Sequence, residues 1–307
     1  MTNEDKWDGV MSGVKPFYKT HMGKAFVGDT LELIKSIPNN SISLIVTSPP
    51  YGLRDKKEYG NADAEVYVKW FMPFAKEFHR VLKPNGSFVL NIAGCWELGK
   101  PTRSLYHFEL LLSLSKVFNL AQEFAWAKPA ALPSPAQWVN VKRVRVKDAL
   151  EYVWWFSKTE HPKANNVKVL QPYSEAMKSL IKKGYRAKTR PSGYVITKNF
   201  SKENDGSIPP NFFTFGSQES NSYYIRMCNE HKLKIHPARY PLKLPEFFVK
   251  FLTDRNDIVL DPFAGSNVTG EAAELNGRRW LAFELVKEYL EGSKFRFDLQ
   301  QKRLNAL

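Results

Sequence analysis

The pattern of apolar and polar positions near the start of the chain predicts strands that alternate with a helix. Residues 43–47 form a short apolar, β-branched run that stops at a Ser-Pro-Pro-Tyr-Gly turn, which is typical of a buried parallel strand. Over residues 66–82, large apolar side chains recur at every fourth position, the spacing of one helix face, and Pro73 predicts a kink or a second helical segment. A further strand is predicted over 87–92, and this order of strand, helix and strand predicts a parallel α/β sheet.

The last part of the chain repeats this pattern with clearer boundaries. Residues 257–260 predict a strand, which runs into a loop of small residues over 261–267. A helix is predicted over 268–276, with Gly277 as its stop. Residues 280–284 then predict another strand that ends on an acid, so both ends of the chain contribute to the α/β sheet.

The residues between these two parts have a different composition. Residues 161–235 are rich in Asn, Ser, Gly, Pro and aromatics, show little periodicity, and contain more than twice as many Lys and Arg as Asp and Glu. We therefore predict three parts: a first half of the α/β domain over 1–160, an inserted loop-rich module over 161–235, and a second half over 236–307.

Composition and charge narrow the function classes. The 307 residues include 45 Lys and Arg against 31 Asp and Glu, a net charge of +14, which predicts a polyanionic partner such as nucleic acid or an anionic membrane face. Cys95 and Cys228 are too few and too far apart for a disulfide framework or a zinc site, so we expect a reducing compartment and no metal. The sequence has neither a signal peptide pattern nor an apolar run of about 20 residues, which predicts a cytosolic protein without membrane insertion.

The segment that begins at Asp261 predicts a nucleoside-containing cofactor. A strand, a small-residue loop and a helix surround a polar ligand with backbone N–H groups, and Gly265 allows close approach. Glu284 follows Asp261 by 23 positions, near the spacing at which a carboxylate binds ribose hydroxyls. The loop lacks the paired glycines of a dinucleotide site and the Gly-Lys-Ser/Thr of a P-loop, which favours S-adenosyl-methionine, a ligand without phosphate. The alternative is an ordinary strand-to-helix turn with incidental acids.

The turn formed by Ser48, Pro49, Pro50 and Tyr51 predicts chemistry on an amino group. The lone pair of an exocyclic amino group is delocalised into the base, which makes that nitrogen a poor nucleophile. The Ser48 hydroxyl oxygen and the Pro49 carbonyl oxygen can accept the two amino hydrogens and free the lone pair for attack on a sulfonium methyl. Tyr51 would stack on a base that has been flipped out of its duplex. A plain turn is again the alternative.

Two motifs resemble those of a known family. Thr47-Ser-Pro-Pro-Tyr51 resembles the catalytic motif, and Asp261-Pro-Phe-Ala-Gly-Ser266 the cofactor motif, of S-adenosyl-methionine-dependent DNA amino-methyltransferases. The similarity covers almost the whole chain, and the catalytic motif precedes the cofactor motif, as in the β class. Ser48 as the first residue of Ser-Pro-Pro-Tyr resembles the cytosine-N4 enzymes of the family. It implies an α/β, Rossmann-like methyltransferase fold: a mostly parallel sheet with helices on both faces, circularly ordered with the catalytic half first, plus an inserted loop-rich target-recognition region.

The resemblance also implies roles for individual residues. The catalytic group consists of Ser48, Pro49, Pro50 and Tyr51, and the cofactor-binding group of Asp29, Tyr240, Pro241, Asp261, Phe263, Gly265, Ser266, Asn267 and Glu284. Asn267 stands where many members have Gly, and a helix over 236–248 is implied beside the cofactor. Within the basic insert we expect DNA contacts from Arg186, Lys188, Arg190 and Ser192.

These features together predict a DNA methyltransferase that acts on the exocyclic N4 of a flipped cytosine in double-stranded DNA. It would be the modification enzyme of a restriction-modification system in the bacterial cytoplasm, at the nucleoid, and a cognate endonuclease would act independently of it. Adenine-N6 methylation and a non-catalytic DNA-binding protein are the alternatives, and the oligomeric state stays open.

Overall fold

The chain forms two compact units in a computed structural model that describes residues 9–52, 62–184, 188–189, 191, 193, 195–196, 203–216 and 222–298. The larger unit comprises Met1–Lys163 and Asn211–Leu307, and the smaller one Ala164–Pro210. The smaller unit is shorter than the insert predicted over 161–235, because residues 211–235 belong to the larger unit. The target-recognition role of the insert stays a prediction.

The larger unit is built on one nine-stranded sheet. Its strands are β1 (Tyr18–Lys19), β2 (Gly23–Val27), β3 (Ile42–Thr47), β4 (Leu82–Ile92), β5 (Asn119–Ala127), β6 (Leu150–Ser157), β9 (Phe212–Thr214), β10 (Ile258–Asp261) and β11 (Arg279–Glu284), while β7 (Lys188–Thr189) and β8 (Val195–Ile196) form a separate pair in the smaller unit. The order across the sheet is β1-β2-β11-β10-β3-β4-β6-β5-β9. In this sheet β1 and β6 run against the other strands. The predicted mostly parallel α/β sheet is confirmed.

Helices cover both faces of the sheet. Among the described residues of the larger unit, these helices are α1 (Thr30–Leu33), α2 (Tyr67–Val81), α3 (Tyr106–Leu114), α5 (Tyr223–Glu230), α6 (Lys243–Leu252), α7 (Val268–Leu275) and α8 (Lys287–Ser293). The smaller unit contains the helix α4 (Glu175–Lys183). Short 3-10 turns occur at Ile34–Ser36, Ala64–Val66 and Asn166–Val169, and a π-helical turn at Gln137–Val141. Across the described ranges, every helix is too short or too polar to cross a bilayer.

The central strand β3 shows how the two faces are filled. Its side chains alternate between the faces, so Ile45 belongs to one apolar cluster while Leu44 and Val46 belong to another. The first cluster contains Phe71 and other residues of α2 and α3, and the second contains Phe248 and other residues of α6 and α7. Because apolar layers cover both faces, β3 is a continuous apolar run, as its sequence predicted.

Two predicted helices differ from the observed ones near prolines. The helix α2 runs continuously through Pro73, which lies on its exposed side, so no second segment begins there. The helix implied over 236–248 is wrong in its bounds, since α6 begins at Lys243. Pro237 and Pro241 disfavour helical conformation in the residues before them, and 236–241 forms a loop. Pro245 lies in the first turn of α6, where proline is tolerated.

A cluster of charges joins three strands at the edge of the sheet where the parallel strands begin. Asp257 accepts hydrogen bonds from Ser43 Oγ at 2.7 Å, from Lys83 Nζ at 3.2 Å and from Lys163 Nζ at 2.6 Å. Burial raises the pKa of Asp257, but the hydrogen bonds from the Asp254 N–H, Lys163 and Ser43 and the Lys83 charge outweigh it and lower the pKa to about 2. The ionised form of Asp257 therefore stabilises the fold.

Candidate active site

A cavity of about 730 Å³ lies at the carboxyl ends of the parallel strands, the usual place for a ligand in an open α/β sheet. The turn at Ser48 follows β3 directly, and the loop that begins at Pro262 follows β10. Because β3 and β10 are neighbours in the sheet, the two motifs lie side by side and line the same cavity.

The structure brings most of the predicted site residues to this cavity. Its lining includes Asp29, Ser48, Pro49, Pro50, Tyr51, Tyr240, Phe263, Gly265, Ser266 and Glu284. Of the described residues predicted to bind the cofactor, three do not line the cavity, namely Pro241, Asp261 and Asn267. The predicted DNA contacts Arg186, Arg190 and Ser192 lie outside the described residues, and for Lys188 only its place in β7 is described.

Asp261 is a buried link between elements instead of a residue of the cavity wall. One carboxylate oxygen accepts hydrogen bonds from Thr47 Oγ1 at 2.7 Å and from the Phe263 N–H at 3.1 Å. The other accepts from Tyr240 Oη at 3.0 Å and from Thr269 Oγ1 at 2.6 Å. Burial raises the pKa of Asp261, and these hydrogen bonds oppose that rise. Through Thr47, the Asp261 carboxylate fixes the end of β3 that leads into the Ser48 turn.

Asn267 also acts on the backbone of the loop. It has φ of 58°, in the left-handed region that Gly favours and that Asn tolerates better than most residues. Its Oδ1 accepts a hydrogen bond from the Gly270 N–H at 3.1 Å and caps α7, while its Nδ2 donates to Tyr18 Oη at 2.9 Å. Asn267 can therefore hold this left-handed conformation without a glycine.

Glu284 and Gly265 form a tight part of the cavity wall. The buried Glu284 carboxylate accepts hydrogen bonds from the Gly265 N–H at 2.7 Å and the Val286 N–H at 2.9 Å. Burial raises the pKa of Glu284, which these backbone hydrogen bonds oppose. Gly265 has φ of 52°, and a Cβ there would lie 3.1 Å from the His236 ring, so glycine is the residue that the conformation and the space both require.

A second carboxylate, Glu151, lies in the cavity wall beside the turn formed by Ser48–Tyr51. Its Oε2 accepts hydrogen bonds from Tyr51 Oη at 2.9 Å and from Asn91 Nδ2 at 3.0 Å, and its Oε1 contacts Lys128 Nζ. Glu151 is only 8% exposed, and it stands at the start of β6, next to the end of β4. Its charge is thus compensated by three donors.

Comparisons with known proteins agree with this site. The profile of the DNA methylase family matches residues 42–295. The type II methyltransferase M.PvuII from Proteus hauseri is 51% identical over 290 residues, which cover 93% of this chain and 86% of the relative. The chain belongs to the DNA methylase family.

Solved structures extend the comparison of this DNA methylase. The structure of PvuII DNA methyltransferase, described as cytosine-N4-specific, matches with a TM-score of 0.76 at 42% identity and covers 96% of this chain and 94% of that one. A DNA modification methylase from Thermus thermophilus in complex with S-adenosyl-L-methionine has a TM-score of 0.56 at 23% identity, with 92% and 94% covered, and supports the fold alone. The resemblance to DNA amino-methyltransferases and the methyltransferase fold are confirmed.

Several residues of the cavity in this DNA methylase were not predicted from sequence. They include the aromatic residues Trp70, Phe74 and Trp126 and the polar residues Asn91, Lys128 and Glu151. Asn91 and Glu151 left one signal, because each is a polar residue within an apolar run at the end of its strand that faces the site. The aromatic residues left none, since their spacing on α2 and β5 is also that of core positions.

Proposed function

We propose that this DNA methylase transfers a methyl group from S-adenosyl-methionine to the exocyclic N4 of a cytosine flipped out of double-stranded DNA. It would be the modification enzyme of a type II restriction-modification system, as the name of its 51% identical relative M.PvuII suggests. The observation that carries the proposal is the single cavity lined by both the Ser48 turn and the wall of Gly265 and Glu284. A methyl donor and a methyl acceptor can meet there.

The wall residues fit the chemistry of S-adenosyl-methionine. Glu284 and the N-capping carboxylate of Asp29 offer acceptors for hydroxyl and amino hydrogens, and Phe263 offers an apolar surface to a flat ring. A Cβ at Gly265 would lie 3.1 Å from the His236 ring, tighter than ordinary packing, and the lack of a side chain there lets a ligand approach the backbone closely. When bound, this donor supplies an electrophilic methyl carbon on a sulfonium.

The Ser48 turn would activate the amino group of the base. The Ser48 hydroxyl oxygen and the Pro49 carbonyl oxygen accept the two amino hydrogens, which draws the nitrogen toward a tetrahedral geometry and frees its lone pair. Pro49 and Pro50 have fixed φ and no N–H, so the acceptors are oriented before the base arrives. The ring of Tyr51 lines the cavity and can stack on the base.

The DNA partner fits the charge of the chain. A net charge of +14 suits a polyanion, and the basic residues of 161–235 would contact phosphates of the target duplex. Within this region we assign DNA contacts to Arg186, Lys188, Arg190 and Ser192. An enzyme of this kind would act in the bacterial cytoplasm at the nucleoid, and a cognate endonuclease would cut independently of it.

The test is a Ser48→Ala variant assayed for methyl transfer from labelled S-adenosyl-methionine to unmethylated genomic DNA. Removing one oriented acceptor should lower kcat on the order of 100-fold, while the Kd for S-adenosyl-methionine stays within about twofold, since the wall at Glu284 is untouched. Ser115→Ala, on an exposed serine of the helical turn after α3, serves as the matched control and should leave both constants unchanged. Parallel losses of kcat and cofactor affinity in Ser48→Ala would contradict the assigned role.

A further inference from the structure

The hydrogen bonds around Glu151 have a fixed direction. A carboxylate has no hydrogen and can only accept, so each of its three neighbours must donate to it. Lys128 and Asn91 donate through nitrogen atoms, and Tyr51 donates its phenol hydrogen across 2.9 Å. The Lys128 ammonium forms an ion pair with the Glu151 carboxylate in the buried wall.

Tyr51 passes this direction on to the catalytic turn. Burial, together with the negative charge of Glu151, holds the pKa of Tyr51 well above its ordinary value, so the phenol keeps its hydrogen. That single hydrogen points at an oxygen of Glu151 or of Asn91, and both of those atoms are acceptors. The phenol oxygen of Tyr51 can therefore only accept from its remaining neighbour, Ser48, at 3.2 Å.

The consequence for Ser48 is an oriented hydroxyl. A serine hydroxyl has one hydrogen and two lone pairs, and here the hydrogen is committed to Tyr51. We infer that Glu151, acting through Tyr51, is a positioning residue that fixes the Ser48 hydroxyl as a hydrogen-bond acceptor, so that the cavity takes a base with an exocyclic amino group and rejects one with a carbonyl there. This inference rests on the proposed function, because it concerns the base that Ser48 meets.

Substitution of Glu151 by Gln allows the network to reverse while keeping its shape. The Gln amide can donate to Tyr51, whose hydrogen is then shared between Asn91 Oδ1 and Ser48. When Tyr51 donates to Ser48, the Ser48 hydrogen turns toward the amino group that it should accept from. We expect kcat to fall on the order of 100-fold, comparable to the loss of one oriented group in an active site, with an unchanged Kd for S-adenosyl-methionine. Glu123→Gln, the same change on an exposed residue of β5, is the matched control and should behave as wild type.

Tyr51→Phe tests whether Glu151 acts through the phenol. This variant removes the phenol that joins Glu151 to Ser48. The Ser48 hydroxyl then loses its fixed direction but is not turned into a donor toward the base, so we expect a smaller loss of about 10-fold in kcat. In the double variant Tyr51→Phe/Glu151→Gln the amide has no phenol to act on. Its kcat should match that of Tyr51→Phe alone, whereas two independent effects would multiply.

A binding measurement distinguishes a change in the direction of the Ser48 hydroxyl from a non-specific loss of structure. The target cytosine is first located by sequencing DNA that the wild-type enzyme has methylated. Duplexes with cytosine or uracil at that position are then titrated in the presence of S-adenosyl-homocysteine. The wild type should bind the cytosine duplex more tightly than the uracil duplex. The ratio of the Kd for uracil to the Kd for cytosine should shrink about 10-fold in Glu151→Gln and also in Tyr51→Phe. The second variant keeps the test available if Glu151→Gln folds poorly.

The outcomes distinguish the inference from the proposed function. An unchanged Kd ratio in both variants, or losses of kcat that multiply in the double variant, would overturn the positioning role of Glu151. A wild-type enzyme that transfers no methyl to cytosine would instead overturn the proposed function, and it would do so before any variant is compared.

Discussion

Replacing Gly265 by Ala adds one methyl group to the cavity wall at a known place. The new Cβ would lie 3.1 Å from Cε1 and Nε2 of the His236 ring and 3.2 Å from Cδ2. It would also stand on a residue with φ of 52°, a conformation that favours glycine. The same residue donates its N–H to Glu284, so any shift of the loop also moves this carboxylate.

The expected loss of stability comes from the backbone conformation of residue 265 and from its contact with His236. An L-residue in the left-handed conformation costs about 1 kcal/mol, and the contact with His236 is a few tenths of an ångström tighter than ordinary packing. The free energy of unfolding should therefore fall by about 1 to 2 kcal/mol. Displacement of the loop and of Glu284 should weaken S-adenosyl-methionine binding about 10-fold, which corresponds to about 1.4 kcal/mol.

The assay compares Gly265→Ala with Gly277→Ala, a matched control at the end of α7. Gly277 has φ of 71°, but a Cβ there would meet Arg255 at 3.4 Å, an ordinary contact, and Gly277 does not line the cavity. Urea denaturation gives the free energy of unfolding, and calorimetric titration gives the Kd for S-adenosyl-methionine. Gly277→Ala should lose about 1 kcal/mol of stability and retain wild-type affinity.

Wild-type affinity in Gly265→Ala would refute the reasoning, because the loop could then not be the wall that holds the cofactor. Equal losses of affinity in both variants would refute it as well, since the effect would follow from reduced stability rather than from the place of the methyl group.

Two further predictions concern stability and DNA binding. The pKa of Asp257 is lowered to about 2, so the ionised carboxylate adds about 2 kcal/mol to the free energy of unfolding above pH 4, and this is lost as the pH falls from about 4 to 2. In urea denaturation, Asp257→Asn should be less stable than wild type at pH 6 and nearly equal to it at pH 2. A difference that stays constant with pH would contradict the role of the charge cluster. Neutralising Arg186, Lys188 and Arg190 should weaken duplex binding and flatten the slope of log Kd against log salt by about 0.9 for each lost phosphate contact. An unchanged slope would show that these residues do not contact phosphates.

The local sequence predicted the elements on which the two motifs stand. The apolar run before Ser48 and the one before Asp261 became neighbouring parallel strands, because both are flanked by breakers and buried on two faces. Helix α7 was predicted with its glycine stop at Gly277. The short motifs did not indicate which way a side chain points. They could not show that the Asp261 side chain turns away from the cavity and accepts hydrogen bonds from Thr47 and Thr269.

The remaining residues of the site depend on long-range pairing. Asn91 and Glu151 meet because β6 runs antiparallel to β4, and Lys128 joins them from the end of β5. No local pattern in the sequence contains this pairing. The start of α6 at Lys243 was likewise missed, because the implied helix ignored the restriction that Pro237 and Pro241 impose on preceding residues.

The most direct test of the proposed reaction identifies its product. Wild-type enzyme is incubated with labelled S-adenosyl-methionine and unmethylated duplex DNA, the DNA is digested to nucleosides, and the labelled nucleoside is identified by mass spectrometry. We predict N4-methylcytosine. N6-methyladenine would contradict the assignment of the base, and absence of any labelled nucleoside would contradict methyl transfer itself.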